Sequence, residues 1–173
     1  MIAELDKTIL HAFAGWRSPL TDHFFLTITW LGSLWVLLPA SLVLAALRWP
    51  SSQAALLLPG TLLLASIASH LMKLMIDRSR PLLHDALVSM PAEPSFPSSH
   101  STQVAAFAVM MGFLLNTQRR WLVLPALAVA VFLVGVSRLH LQVHWPSDVL
   151  AGWLLGGLIA AAVWHGFGRV AGR

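Results

Sequence analysis

A short segment in the last third of the chain gathers several side chains that could do chemistry, although its surroundings are almost entirely apolar. Between Ser137 and Asp148 lie an arginine, two histidines and an aspartate, which are Arg138, His140, His144 and Asp148. His144 and Asp148 are about one helical turn apart, so the carboxylate can bind one ring nitrogen and leave the other free to attack or to take a proton. Arg138 adds a planar guanidinium group that suits phosphate. A helix–loop–helix with ordinary polar caps would account for the same residues.

A second pair of polar residues follows another apolar run. Lys73 precedes Arg80 by close to two helical turns, so both cations would point to the same side if the helix continued. Pro81 disfavours helix at the residue before it, so Arg80 is expected to turn inward from the helix end. Cations inside a membrane segment are rare and usually line a site. The alternative is that Asp77, one turn after Lys73, simply neutralises it.

A third group opens the next apolar run. Ser98 follows Pro97, and a serine in such a place is a good helix N-cap. The free N–H groups and the positive dipole of a helix N-terminus attract anions. His100 lies in the same first turn and could donate a proton to a leaving oxygen. A capping serine and an interfacial histidine are the structural alternative.

The three groups together favour one type of reaction. Two histidines with several cations and no carboxylate cluster fit phosphoryl transfer without a metal ion or another cofactor. One neutral imidazole would attack phosphorus, and the other would protonate the leaving group. The cations would balance the charge on the equatorial oxygens of the transferred group.

The composition is that of a membrane protein. The chain has 173 residues, of which 57% are hydrophobic and only 10% are charged, and its mean hydropathy is +0.75. Soluble domains carry about 25% charged residues. The net charge of +4 does not indicate a nucleic-acid partner, because the basic residues lie at the ends of apolar runs. The chain contains no cysteine, which excludes disulfides and thiolate metal sites.

The apolar runs predict an all-α fold, a polytopic bundle of about five transmembrane helices that forms a single membrane domain over residues 1–173. Residues 1–15 are expected to form an interfacial amphipathic helix, followed by a turn to residue 22 and a transmembrane core over 23–168. The expected spans are Phe24–Leu47, Ala54–Met72, Ser98–Thr117, Trp121–Ser137 and Val149–Phe167. Residues 78–97 contain four prolines and cannot be helical throughout. Glycines at 152, 156 and 157 predict close helix packing.

The charges also predict an orientation in the membrane. With five spans, one membrane face carries five arginines and no acid, and these are Arg48, Arg119, Arg120, Arg169 and Arg173. The opposite face carries all seven acids. The positive-inside rule makes the arginine-rich face, and with it the C-terminus, cytoplasmic. All three groups of candidate residues then lie at the outer face.

In order and spacing, the three groups resemble the motifs of the type 2 phosphatidic acid phosphatase (PAP2) superfamily. The matching residues are Lys73-(six residues)-Arg80-Pro81, Pro97-Ser98-Ser99-His100 and Ser137-Arg138-(five residues)-His144-(three residues)-Asp148. The family core would cover residues 24–167. The resemblance implies a phosphate site made by Lys73, Arg80, Ser98, Ser99 and Arg138. It also implies that His144 is the nucleophile and forms a phosphohistidine, that Asp148 orients it, and that His100 is the general acid.

The resemblance further implies a lipid phosphatase, acting on a phosphate or diphosphate headgroup at the periplasmic side of a bacterial cytoplasmic membrane. Within the family, the small size, short loops and outward site resemble the undecaprenyl diphosphate phosphatases. Phosphatidylglycerophosphate, phosphatidate and lipid A 1-phosphatases are the alternatives. The expected partners are the lipid substrate and the bilayer, and the oligomeric state is left open.

Three interpretations come from other classes of protein. A soluble vanadate-dependent haloperoxidase shares the phosphate pocket in the wider superfamily, but five spans argue against it. A non-catalytic lipid-binding scaffold or transporter would not need every polar motif residue. A metal-dependent hydrolase would lose activity in a chelator.

Three positions near the motifs carry expectations of their own. Ser99 stands where the family usually has glycine, so substrate preference and rate can depart from the family pattern. His140 lies within the last motif, but at an unspecified position, and is expected to be an interfacial histidine. His70, about one turn before Lys73, is a weaker candidate for supporting the site.

Overall fold

The computed structural model describes residues 1–48, 56–115 and 117–168, and the regular structure of these residues is entirely helical. The helices are α1 (Ile2–Ala14), α2 (Pro19–Ile28), α3 (Leu34–Arg48), α4 (Leu57–Ile76), α5 (Ser99–Leu114), α6 (Thr117–His140) and α7 (Pro146–Val163). The all-α prediction is confirmed. The start of the expected span Ala54–Met72 and two arginines used in the charge argument, Arg169 and Arg173, lie outside the described residues.

By length and composition, fewer helices than the predicted five qualify as membrane spans. Among the described residues, three helices are long and apolar enough to cross a membrane, and they are α4, α6 and α7 with the π-helical turn after it. A fourth crossing results if α2 and α3 count together, although they are bent by 50° relative to each other. α5 has 16 residues, and a helix of that length rises only about 24 Å. Length and composition thus support three or four spans.

The expected first span, Phe24–Leu47, is not one continuous helix. α2 already begins at Pro19, because Ser18 and Thr21 form a capping box in which each hydroxyl accepts the backbone N–H of the other. The turn predicted up to residue 22 is therefore wrong. A 3₁₀ turn, Thr29–Gly32, then separates α2 from α3.

Gly32 allows this broken span to lie against two other helices. A Cβ at Gly32 would lie 2.5 Å from a methyl carbon of Val134 on α6 and 3.1 Å from His100 on α5. Any larger residue would push the bend away from both helices. The break therefore seats the 3₁₀ turn beside the first turn of α5.

Close packing of α5 against α7 forms the centre of the bundle. A Cβ at Gly156 would lie 2.1 Å from the carbonyl oxygen of Thr102, and one at Gly152 would lie 2.7 Å from that of Ser98. These glycines let the two backbones touch, and for them the predicted close packing is confirmed. Gly157 takes no part in it, since the nearest atom to a Cβ there is 3.9 Å away.

Apolar side chains fix the register of the helices around this contact. One buried cluster contains Leu58, Met110 and Ala160 from α4, α5 and α7. A second, nearer the 3₁₀ turn, contains Leu62 and Val134. Because lipid is as apolar as these side chains, their contribution is tight van der Waals packing rather than removal from water.

The irregular connections and α1 meet at one end of the bundle. Residues 78–97 contain no helix, as their prolines predict. Asp77 ends α4 in a left-handed conformation, with a φ of 45°. α1 lies over the junction of α6 and α7, with Leu10 buried against Leu139 and Val149.

Candidate active site

The junction between α6 and α7 holds the central residues of the site. α6 ends at His140, and α7 begins at Pro146, whose missing N–H is not needed in a first turn. Asp148 caps α7, because its Oδ2 accepts the Trp145 N–H at 2.9 Å. His144 lies in the connection just before this helix. Both His144 and Asp148 are buried.

The two ring nitrogens of His144 have different surroundings. Nδ1 lies 3.5 Å from Oδ2 of Asp148 and 3.4 Å from the hydroxyl of Ser95. The Ser95 hydroxyl donates to the same Oδ2 of Asp148. Nε2 faces Nη1 of Arg80 at 3.3 Å. The carboxylate and Ser95 therefore hold one side of the ring, and the other side adjoins a guanidinium group.

His144 is neutral at pH 7 in this environment. Burial is the main reason that the pKa of His144 falls to about 3. The nearby charges of Arg138 and Arg80 lower this pKa further, whereas Asp148 opposes the shift. An uncharged imidazole can use a ring nitrogen as a nucleophile without first losing a proton.

Lys73 and Arg80 converge on the connection between α4 and α5. Nζ of Lys73 donates to the Pro94 carbonyl at 2.6 Å, while Nε of Arg80 donates to the Glu93 carbonyl at 2.8 Å. Arg80 also donates from Nη1 to the Val143 carbonyl at 2.7 Å. The expectation that both cations reach the same side is confirmed. The left-handed end of α4 brings Arg80 back toward the helix that carries Lys73.

Arg138 approaches the site from α6. Its Nη1 donates to the hydroxyl of Thr29 at 2.6 Å, so the broken span fixes its position. Its Nε is buried and has no hydrogen-bond partner among the described residues. A desolvated donor without a partner is costly, and an anion could satisfy it.

The N-terminus of α5 completes the arrangement. Ser98 is the N-cap, as predicted, and its hydroxyl accepts from the N–H and the hydroxyl of Ser101 at 3.4 and 3.0 Å. The Ser98 N–H donates to the Asp148 carbonyl at 3.1 Å, which joins the starts of α5 and α7. The Ser99 hydroxyl contacts that of Ser69 at 3.0 Å. His100, in the same turn, is half-buried.

The structure adds residues that the motifs did not predict. Arg78 donates from Nη1 to Oδ1 of Asp148 at 2.5 Å and from Nη2 to Oδ2 of Asp6 on α1 at 2.8 Å. Ser147 and Ser95 complete this network. Asp6 could have been suspected, because an acid at the edge of the apolar stripe of a helix needs a partner when the stripe is buried. Neither serine gave any signal in the sequence.

The remaining histidines lie outside this group. His140 was expected to be an interfacial histidine, but it is buried. Its Nε2 lies 2.7 Å from Oδ1 of Asp22, and its ring packs on Phe25. The prediction failed because α2 begins early and carries Asp22 to the end of α6. His70 is exposed and has no contact with the site among the described residues.

The described residues line grooves at the surface of the bundle. One, of about 380 Å³, lies beside Arg80 and is lined by residues of the connection between 77 and 94. Another, of about 580 Å³, is apolar and lies between α5 and α6, with Trp153 of α7 at its wall. Within the described ranges, no cluster of three or more His, Asp or Glu side chains is arranged to hold a metal ion.

Comparison with known families identifies this arrangement. The model of the PAP2 superfamily matches residues 54–171 of the chain. The chain therefore belongs to the PAP2 superfamily. Its fold resembles that of a membrane-embedded member of the family, as the structural comparison below shows.

Individual relatives agree with this classification. The chain is 44% identical over 70 residues to an undecaprenyl-diphosphatase of Sulfolobus acidocaldarius, covering 40% of this chain and 32% of that protein. It is 35% identical over 125 residues to the decaprenylphosphoryl-5-phosphoribose phosphatase of Mycobacterium tuberculosis, covering 70% of this chain and 66% of the relative. It is 31% identical to phosphatidylglycerophosphatase B of Bacillus subtilis, covering 91% of this chain and 81% of the relative. The match thus spans about a third of the first of these proteins and just under two thirds of the second.

The fold of the chain also resembles solved structures. The crystal structure of a transmembrane PAP2-type phosphatidylglycerolphosphate phosphatase from Bacillus subtilis superimposes with a TM-score of 0.88 at 27% identity. The match covers 97% of this chain and 86% of that one.

Proposed function

We propose that this protein is a multi-pass membrane phosphatase that removes phosphate from a lipid headgroup through a phosphohistidine, without a metal ion. The observation that carries the proposal is the environment of His144. Its ring is buried and neutral, Asp148 and Ser95 adjoin Nδ1, and Nε2 adjoins Arg80 at 3.3 Å. A phosphate bound by Arg80 would have its phosphorus next to a free nucleophile.

The proposed reaction has two displacements at phosphorus. Nε2 of His144 attacks phosphorus, the bond to the lipid oxygen breaks, and the imidazolium form of His100 gives that oxygen a proton and becomes neutral. His100 then takes a proton from water, the resulting oxygen attacks phosphorus, and the bond to Nε2 breaks. Phosphate leaves, and both histidines return to their starting forms. Asp148 orients His144 throughout.

The charge on the phosphate oxygens is balanced by residues from three helices and a loop. Lys73, Arg80 and Arg138 supply the positive charges, and Arg138 has an unpartnered buried donor to offer. Ser98 and Ser99, with the backbone N–H groups at the start of α5, supply neutral donors. Preorganised donors of this kind lower the barrier, because they need not reorient as charge develops.

We propose undecaprenyl diphosphate, cleaved to undecaprenyl phosphate, as the first candidate substrate. Two of the relatives named above act on polyprenyl phosphates according to their names, and one of them matches 70% of this chain. Phosphatidylglycerophosphate is the second candidate, favoured by the relative and the solved structure that match over 91% and 97% of the chain. Phosphatidate and the 1-phosphate of lipid A are further alternatives.

We also propose five crossings of a bacterial cytoplasmic membrane, with α2 and α3 as one bent crossing and the short α5 as another. The site then faces the periplasm and α1 lies at the outer interface. A reporter fused after Arg173 tests this orientation. A C-terminus found outside the cytoplasm would reverse it.

Phosphate release by purified protein in detergent with excess chelator tests the reaction. Undecaprenyl diphosphate, phosphatidylglycerophosphate, phosphatidate and lipid A are compared, and the fastest substrate identifies the headgroup. His144→Ala should lower turnover by at least about 10³-fold, because the covalent step is lost. His70→Ala, which replaces an exposed histidine on α4, is the matched control and should keep wild-type turnover.

Two results would contradict the proposal. A chelator that abolishes release would favour a metal-dependent hydrolase. Equal turnover by wild type and His144→Ala, or no release from any lipid, would favour a lipid-binding scaffold or transporter.

A further inference from the structure

The N-terminal helix reaches the site through a buried ionic network. Asp6 projects from α1, and its side chain is only 4% exposed. Oδ1 of Asp6 accepts the backbone N–H of Ser147 at 2.9 Å, and Oδ2 accepts the hydroxyl of Ser147 at 2.6 Å. Oδ2 also accepts Nη2 of Arg78 at 2.8 Å. Asp6 therefore binds the first turn of α7 and Arg78 at once.

Arg78 connects this carboxylate to the one beside the proposed nucleophile. Its Nη1 donates to Oδ1 of Asp148 at 2.5 Å and to the Ser147 hydroxyl at 2.7 Å. The guanidinium also lies over the ring of Trp145, with its central carbon 5.5 Å from the ring centroid. Because both terminal nitrogens are engaged, Arg78 is fixed in one orientation. It lies within the six-residue spacer between Lys73 and Arg80, at a position that the motif does not specify.

The two oxygens of Asp148 consequently have separate tasks. Oδ1 is held by Arg78, whereas Oδ2 accepts from the Ser95 hydroxyl and the Trp145 N–H and faces His144. A carboxylate held at both oxygens cannot rotate. The direction of Oδ2 toward Nδ1, and with it the direction of Nε2 on the other side of the ring, then depends on Arg78.

We propose that Arg78 and Asp6 are a positioning pair for this site: Asp6 fixes Arg78, and Arg78 fixes the Asp148 carboxylate that orients His144. This inference rests on the proposed function. Neither residue contacts His144, so neither is assigned a catalytic role. α1, which the sequence presents as an interfacial anchor, thereby supplies a part of the site.

Charge balance explains why the pair needs both members. Asp6 and Asp148 place two carboxylates on one guanidinium group. Without Arg78, two buried carboxylates would face each other without a counter-charge, which is strongly unfavourable. Without Asp6, Arg78 keeps its bond to Asp148 but loses the contact that fixes its second nitrogen. Removal of Arg78 should therefore have the larger effect.

Steady-state kinetics of the full-length protein in detergent tests the pair, using the fastest lipid of the panel above. Arg78→Gln should lower kcat by roughly ten- to a hundredfold with KM within about threefold of wild type, because misplaced reacting groups slow the chemical step. Asp6→Asn should lower kcat by roughly three- to tenfold. The double variant should be no slower than Arg78→Gln alone, because Asp6 acts through Arg78. Arg78→Lys, which keeps the charge but reaches fewer partners, should fall between wild type and Arg78→Gln.

The controls come from the exposed face of α1. Glu4 and Lys7 pair with each other there at 3.0 Å, with side chains 75% and 46% exposed. Glu4→Gln and Lys7→Gln remove the same charges as Asp6→Asn and Arg78→Gln and should keep wild-type kcat and KM. Melting temperatures of all variants show whether each protein is folded, and Arg78→Lys and Asp6→Asn keep the test decisive if Arg78→Gln does not fold.

Three results would contradict the proposed positioning role of Arg78 and Asp6. An unchanged kcat in Arg78→Lys and Asp6→Asn would show that the network is structural only. A rise in KM with kcat unchanged would make Arg78 a substrate ligand instead. Losses that multiply in the double variant would mean that the two residues act independently. If the wild type itself releases no phosphate, the proposed function fails first, and that outcome is seen before any variant is compared.

Discussion

The two ends of the helix bundle are built on opposite principles. In the apolar half, α5 and α7 touch backbone to backbone at Gly156, and the surrounding side chains form a core without charges. At the other end, the starts of the same helices lie beside buried polar side chains, which are Ser98, His144 and Asp148. The close packing in the apolar half prevents α5 and α7 from sliding along each other. That rigidity allows the polar end to hold charged groups at fixed distances in irregular loops.

The strongest test of this difference between the two ends is a substitution that pushes α5 and α7 apart. Gly156→Val should lower stability by about 3 kcal/mol or more, because its side chain would overlap the carbonyl of Thr102. It should also abolish activity, since the starts of both helices move. Gly157→Val is the matched control one residue away, where a Cβ has room. Melting temperature and folded yield in detergent measure the difference, and equal behaviour of the two variants would contradict the rigid-register explanation.

Removal of one buried serine hydroxyl at each end of the bundle distinguishes an effect on function from an effect on stability. Ser95→Ala should lower turnover about tenfold, because the hydroxyl between His144 and Asp148 is lost. Ser41→Ala removes a buried hydroxyl from α3 that, among the described residues, donates to the Leu38 carbonyl, and it should leave turnover unchanged. The measurement is initial rate at saturating lipid. A comparable loss in both variants would show that Ser95 has no special place in the site.

A smaller effect on activity is expected from a substitution in the broken first span. Thr29→Val removes the hydroxyl that binds Arg138 while keeping the shape of the side chain. KM should rise about fivefold, because a hydrogen bond to a charged group contributes about 1.5–3 kcal/mol and phosphate can compensate part of it. Thr27→Val, which loses only a bond to the His23 carbonyl in α2, is the control. Substrate titrations give the KM of both variants and show whether the rise is specific to Thr29→Val.

The smallest effect concerns acid stability. The pKa of His144 is about 3 in the folded protein, below the value near 6.5 for an unfolded chain, so protons bind the unfolded state more readily. Stability is therefore full above pH 6.5 and decreases as the pH falls, by about 1 kcal/mol between pH 6.5 and 5.5. His144→Gln should remove this part of the slope. Melting temperatures across that pH range, with His70→Gln as control, would show no difference in slope if His144 were already protonated in the folded protein.

The sequence predicted the residues that are tied to local spacing. Lys73 and Arg80 meet at the same loop, and Ser98 caps α5, because both features depend on one helix and its immediate end. His144 and Asp148 lie together for the same reason. Spacing over one or two turns is a property of the backbone and can be recognised without a fold.

Other features depend on contacts that are distant in sequence. Asp6 and Arg78 are 72 residues apart, and no local pattern joins them. The break at Thr29–Gly32 lies in an uncharged apolar run, where a straight helix and a bent one have the same composition. The start of α2 was different, since the serine before Pro19 is a capping signal that could have been recognised.

The contact between Asp6 and Ser147 has a consequence for the order in which the protein folds during synthesis. Its partner Ser147 lies 141 residues later in the chain, so α1 leaves the ribosome long before the turn that receives it. At roughly 5–20 residues per second, that interval is on the order of ten seconds. During this time Asp6 lacks its partner in the first turn of α7, and α1 rests on the membrane surface. A segment that is synthesised early is therefore among the last to dock, and the active site closes only when α7 is in place.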